Sequence, residues 1–313
     1  MAAYILRRML STVAVMAMVG IFVFLLLRLA PGDPAAIIAG DKATPQMIAS
    51  IREQLGLNDP LPVQFIGWVR DLVGGDFGTS IFAGRPVLEL IAQRLEPTLS
   101  LSILTIIVSV TMGVSFGILA AWQAGGLLDR ILTAFATLGF SVPVFVVGFL
   151  AIYLFAIRTQ WLPVQGYQPV DDGFGTWLVH MILPTVTLSI PYIAFIARIA
   201  RASMLEVLSE DYMRTAAAKG ASSYSMLFHH ALKNAGVPIL TVIGLSFAGL
   251  VGGVVLTETV FNIPGIGRLV VDAINKRDYP IIQGVLILVS GLYVLINLAV
   301  DLSYTLVDPR IRY

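Results

Sequence analysis

Along the 313 residues, apolar positions gather into six windows free of Asp, Glu, Lys and Arg, each set off from the next by charged residues. The windows are 9–27, 97–128, 131–157, 173–197, 234–257 and 279–300, with lengths of 19, 32, 27, 25, 24 and 22 residues. A helix needs about 20 residues to cross the hydrocarbon of a bilayer, and there it satisfies its own backbone without help from water. Each window therefore predicts one membrane-spanning helix, with the first residues of 173–197 read as loop. The first window is longer than the apolar core of a signal peptide, and no small-residue cleavage site follows at Leu29–Pro34, so it reads as an uncleaved span.

Two polar segments break this pattern. Residues 31–96 carry 13 charges in 66 positions, five basic and eight acidic, and predict a small helical subdomain outside the membrane. Within it, Gln46 to Leu57 places Met47, Ile48, Ile51 and Leu55 on one helix face and ends near Gly56. Leu61 to Leu72 predicts another helix, Gly74, Gly75 and Gly78 mark turns, and Pro86 restarts a helix. Apolar faces in a loop of this length argue against a mere linker; it reads either as a docking surface for a soluble partner or as a cap. The second segment, Asp211 to Pro238, predicts a helix–turn–helix. Gly220 stands where a first helix stops in the left-handed conformation, and Ser222 or Ser223 caps a second helix running to about Asn234.

Composition agrees with a membrane protein: 57% of residues are apolar and 12% charged, about half the charged share of soluble domains. The net charge of +1 and the lack of a basic tract with interleaved aromatics argue against nucleic-acid binding. There are no cysteines to form disulfides or thiolate sites. By the positive-inside rule, an inward N-terminus puts Arg7, Arg8, Arg130, Arg198, Arg201, Arg214, Lys219, Lys233, Arg310 and Arg312 on inner flanks. Only Arg158, Arg268, Lys276 and Arg277 then lie in short outer loops. Both termini and the 211–238 segment are thus expected in the cytosol.

Small residues recur every fourth position at Gly113, Gly117 and Ala121, and again at Gly244, Ala248 and Gly252. That spacing permits close helix approach, either within one chain or against a second one. Pro143, Pro184 and Pro191 should bend or begin helices. Hydroxyl and amide side chains within the windows, Ser141, Thr185, Thr187, Ser189, Thr241, Ser246, Ser290 and Asn297, face a pathway or bond back to their own helices. Glu258 reads either as a gate-side polar contact or as a carboxylate at the water interface. No titratable group lies at mid-membrane, where a carrier driven by coupled ions commonly has one. His180, His229 and His230 lack the i, i+4 spacing of a zinc helix, and no nucleophile–base set stands out.

These residues resemble the membrane permeases of binding-protein-dependent ABC importers of the dipeptide, oligopeptide, glutathione and nickel class. Arg214-Thr215-Ala216-Ala217-Ala218-Lys219-Gly220 is similar to that class's cytosolic loop for the ATPase, with Arg214 where the general signature has glutamate. Leu29-Ala30-Pro31-Gly32-Asp33-Pro34, Gln54-Leu55-Gly56-Leu57 and Gly75-Asp76-Phe77-Gly78-Thr79-Ser80 resemble its outer region. Trp161-Leu162-Pro163, Phe261-Asn262-Ile263-Pro264-Gly265-Ile266-Gly267 and Asp308-Pro309-Arg310-Ile311-Arg312-Tyr313 match further along.

The resemblance implies an all-α, type I ABC permease fold: residues 1–30 with the first of six transmembrane helices, 31–96 outside, and 97–313 as the core. It implies a multi-pass subunit of the bacterial inner membrane that pairs with a second homologous permease, two ABC ATPases and an extracytoplasmic solute-binding protein. The expected solutes are di- or oligopeptides, with glutathione, nickel chelates or small glycans as alternatives and a stand-alone secondary transporter as a remote one. No enzyme activity or cofactor is expected here, since no Walker-type phosphate loop is present; ATP and Mg belong to the partners. The resemblance marks Tyr212, Arg214, Thr215, Ala216, Ala218, Lys219, Gly220, Ser223, Phe228 and Lys233 for ATPase coupling. Ser141, Thr187, Thr241, Ser246 and Glu258 are the pathway candidates.

Overall fold

In a computed structural model, which describes residues 2–29, 34–39, 44–54 and 56–307, each of the six windows is mainly helical. The described residues hold no strand, only an isolated bridge between Thr79 and Pro86. In order the helices are α1 (Ala2–Leu29), α2 (Pro34–Ala39), α3 (Pro45–Gln54), α4 (Leu61–Val73), α5 (Val87–Trp122), α6 (Leu127–Ser141) and α7 (Val144–Ala151). A π-helix, Ile152–Arg158, extends α7, and after a 3-10 turn at Val170–Asp172 come α8 (Phe174–Leu208) and α9 (Asp211–Ala218). A second π-helix, Ser225–Ala231, runs into α10 (Leu232–Asn234), and α11 (Gly236–Val260), α12 (Ile266–Lys276) and α13 (Tyr279–Val307) complete the chain. The expected motifs at 30–33 and 308–313, and Leu55, lie outside the described residues.

By length and apolar composition α5, α8 and α13 can each cross a bilayer unbroken. The third and fifth windows form bent pairs that are long and apolar enough to cross only when each pair is taken as one span, and α1 carries the shorter apolar stretch Met9–Leu25. The third window is the sharpest departure from straight rods: α6 and the α7 segment turn by 104° about Val142 and Pro143. Val142 is extended (φ −89°, ψ 127°), as the residue before proline tends to be, and Pro143 then starts α7. Pro184 and Pro191 begin no helix. Both lie inside α8, which stays one helix of 35 residues. Packing against its neighbours holds it: Met181, Leu188, Ile196, Ala200 and Met204 are almost wholly buried.

The contacts divide the chain into two compact units. One comprises 94–268 and the chain from 293 onward. Within it, the α5 stripe is used against α8: a Cβ at Gly113 would lie 2.8 Å from Ile196 Cβ, and one at Gly117 2.5 Å from Ala200 Cβ. Both are shorter than real Cβ contacts, so only glycine allows this approach. Gly244 of α11 likewise faces Val300 of α13, whereas Gly252 has open space beside it; the Ala248 side chain is outside the described set. At one end of α6 and α8, Arg201 donates to both Asp129 carboxylate oxygens at 2.6 and 2.7 Å. Gly125 N–H and the Thr133 hydroxyl add bonds to the same carboxylate.

The other unit holds residues 2–93 and 269–292. Phe24 of α1 meets Phe65 and Trp68 of α4 with ring centroids 5.3 and 5.9 Å apart. The α3 helix opens on a Thr44 hydroxyl that accepts Met47 N–H, and it stops at Gly56 (φ +61°), where Leu57 N–H returns to the Arg52 carbonyl. The turn at 79–83 is organised by Asp278, buried at the start of α13. Its carboxylate accepts the Ser80 hydroxyl at 2.6 Å and the N–H groups of Ile81 and Phe82. Removing a buried acceptor strands its donors at about 1–3 kcal/mol. Asp278→Ala is therefore expected to loosen the turn, seen as faster limited proteolysis within 74–86 than in the parent chain.

Candidate functional site

The polar segment between α8 and α11 forms a two-armed elbow. Its first arm, α9, begins with Asp211 and carries Arg214 one turn on; their 3.6 Å ion pair is largely exposed and contributes little. The arm ends in a complete Schellman motif. Gly220, at φ +83°, donates its N–H to the Ala217 carbonyl (2.9 Å), and Ala221 donates to Ala216 (3.1 Å). A Cβ at Gly220 would meet nothing within 4 Å, so backbone conformation and not space demands glycine there. Of the two serines, Ser222 is the cap: its hydroxyl oxygen accepts Ser225 N–H at 3.3 Å.

The second arm differs from the expected α-helix, because residues 225–231 are π-helical before α10 resumes. Met213, Leu227, Ala231 and Ala235 turn inward and pack with Ile118 and Ala121 of α5 and Ala200 and Met204 of α8. A side-chain bond from Asn234 Nδ2 to the Tyr212 hydroxyl (3.0 Å) joins the arms. Outward face Tyr212, Arg214, Thr215, Ala218, Lys219, Gly220, Ser223, Phe228 and Lys233, while Ala216 is half-buried. The structure thus brings the sequence-marked residues onto one exposed elbow. It adds Tyr224, 65% exposed, whose ring lies 4.7 Å from that of Phe228; their i, i+4 spacing was the available signal.

The pathway candidates do not share one place. Ser141 lies on a cavity of about 250 Å³ between α5, α6 and α8. Thr187 and Ser246 are buried, and Thr241 is exposed with its hydroxyl donating to the Val237 carbonyl. Glu258 is not at a water interface; it is fully buried. Its carboxylate accepts the Thr98 hydroxyl (2.5 Å) and Arg268 N–H (2.9 Å), and Thr98 in turn accepts Ile266 N–H (2.8 Å). A Cβ on Gly265 would overlap this carboxylate, which fixes glycine in the loop leading to α12. Nearby, outside the spans, Tyr167 donates to Glu96 at 2.8 Å, and burial pushes its phenol up from the ordinary value. Among the described residues, no group of His, Asp and Glu is placed to hold a metal.

Comparison with known proteins bears on this architecture. Residues 113–313 match the model of the binding-protein-dependent transport system inner membrane component, and residues 1–102 match that of its N-terminal part. A protein of Sinorhizobium fredii named probable peptide ABC transporter permease is 74% identical over the full length of both chains. The glutathione transport system permease of Salmonella choleraesuis is 44% identical, again over all of both. Among solved structures, a chain of the inward-facing MetNI methionine ABC transporter superposes with a TM-score of 0.58 at 19% identity. The match covers 71% of this chain and 97% of that one.

Proposed function

Because this chain belongs to the family of binding-protein-dependent transport system inner membrane components, we propose that it is the permease subunit of an ATP-driven importer of di- and oligopeptides. Peptide import rests on the name of the Sinorhizobium relative. The Salmonella relative carries glutathione, itself a small peptide, so the solute chemistry is shared. In this reading the subunit lines the pathway with a second, homologous permease and receives solute from an extracytoplasmic binding protein. Two partner ATPases bind and hydrolyse ATP with Mg, and both termini of this chain face the cytosol.

The observation that carries the coupling assignment is the elbow. Its apolar side is built into α5 and α8, while its other side presents Tyr212, Arg214, Lys219, Tyr224 and Phe228 to solvent. A surface that is rigidly backed and rich in aromatic and basic groups is suited to a protein partner. The turn at Gly220 separates shape from side-chain chemistry. Valine there pays the left-handed penalty of about 1–2 kcal/mol, whereas asparagine tolerates that conformation. Gly220→Val is expected to lower ATP-driven uptake and solute-stimulated hydrolysis about tenfold with normal membrane insertion, and Gly220→Asn to retain most of both. Unchanged uptake and hydrolysis in the valine variant would remove the elbow from the coupling path, and uptake persisting without any ATPase would point to a stand-alone carrier.

A further inference from the structure

The cavity beside Ser141 has a chemistry that the coupling assignment does not use. One wall is α6, where Thr133, Thr137 and Ser141 recur at every fourth residue and so form a hydroxyl stripe along one face. Thr137 and Ser141 donate to the carbonyls of Thr133 and Thr137 at 2.9 and 2.8 Å, which leaves oxygen lone pairs free to accept from water or solute. Facing the stripe are Arg198 and Arg201 of α8. They are not equivalent. Arg201 is neutralised by its two-pronged pair with Asp129. Arg198 is exposed, its guanidinium lies 5.4 Å from the centroid of the Phe140 ring, and no carboxylate among the described residues pairs with it.

A hydroxyl stripe and an unpaired cation at the edge of an uncharged 25-residue window make a poor surface for lipid chains and a good one for water. Arginine presents a planar fork that binds carboxylates through two parallel bonds, and stacking on Phe140 holds that fork toward the cavity. We propose that this groove is part of the translocation pathway and that Arg198 transiently binds the carboxylate of the passing solute. This rests on the peptide-importer reading, in which every solute carries a C-terminal carboxylate. Arg201 with Asp129 braces the wall, and Thr133, Thr137 and Ser141 offer hydrogen bonds to the peptide backbone.

Two measurements on the assembled transporter in proteoliposomes test the assignment. The chain has no cysteine, so Thr137→Cys and Ser141→Cys each place one reporter thiol in it. Anionic sulfonatoethyl and cationic trimethylammonioethyl thiosulfonates are then compared, each scaled to its rate with a free thiol. Both should label, the anionic reagent several times faster. Adding Arg198→Gln should erase that preference, and Arg198→Lys should keep it. In uptake, Arg198→Gln should slow a dipeptide with a free carboxylate about tenfold, the loss of one charge-assisted contact, and leave its C-terminal amide unaffected. Failure of both reagents to label, a preference indifferent to Arg198, or equal slowing of acid and amide would overturn the proposal. Absence of any peptide uptake by the unaltered complex would instead overturn the choice of solute, with the labelling result still deciding the groove.

Discussion

Glu258→Ala is expected to destabilise the protein by about 3 kcal/mol, because it strands several part-buried donors around a buried carboxylate, each at about 1–3 kcal/mol. The Thr98 hydroxyl and Arg268 N–H lose their acceptor outright, and Gly267 N–H is turned to the same carboxylate. The Thr98 hydroxyl also loses the orientation in which its oxygen accepts Ile266 N–H. Gly265→Ala should do comparable harm from the other side, since its Cβ would occupy the carboxylate position. The two changes break one arrangement, so their double mutant should cost clearly less than the sum. Thermal unfolding of the purified protein, followed by tryptophan fluorescence, reads this directly. Additive effects, or an alanine variant as stable as the parent, would show that the carboxylate is not what ties this loop down.

The second large effect is expected at Asp129. Breaking a buried ion pair by removing one partner costs about 3–5 kcal/mol, whereas replacing both can be neutral. Here the Arg201 side chain is 32% exposed, which places Asp129→Ala near the lower end of that range. Asp129→Ala is expected to reduce the amount of folded protein recovered from membranes, and Arg201→Met in the same chain to restore much of it. A double mutant worse than either single change would mean that the two residues serve separate neighbours.

What could be read from the sequence was mostly what local chemistry dictates. Gly220 and Gly56 stop their helices because glycine enters the left-handed conformation freely, and Pro143 breaks the third window because it removes a donor and constrains Val142. The exposed elbow follows from polar residues flanked by two apolar runs. What escaped is what depends on partners far away in the chain. Glu258 sits at the edge of an apolar window and suggests water until Thr98, 160 positions earlier, is brought to it. Asp278 looks like an ordinary loop acid, yet its partner is Ser80, 198 positions away. The π-helical turn at 225–231 had no signature, since no proline or glycine marks it. Pro184 and Pro191 start no helix, because both fall inside the continuous and well-packed α8.

The bond between Asn234 and Tyr212, 22 positions apart, closes a ring at the elbow. A loop fastened at its base in this way resists splaying by about 1 kcal/mol, so part of a sideways load at Lys219 becomes torque on the base. That torque is shared by α8 and α11, the two rods that enter the ring. Under the proposed coupling role, a partner bound at the tip would twist both rods together, as a key turns in a lock.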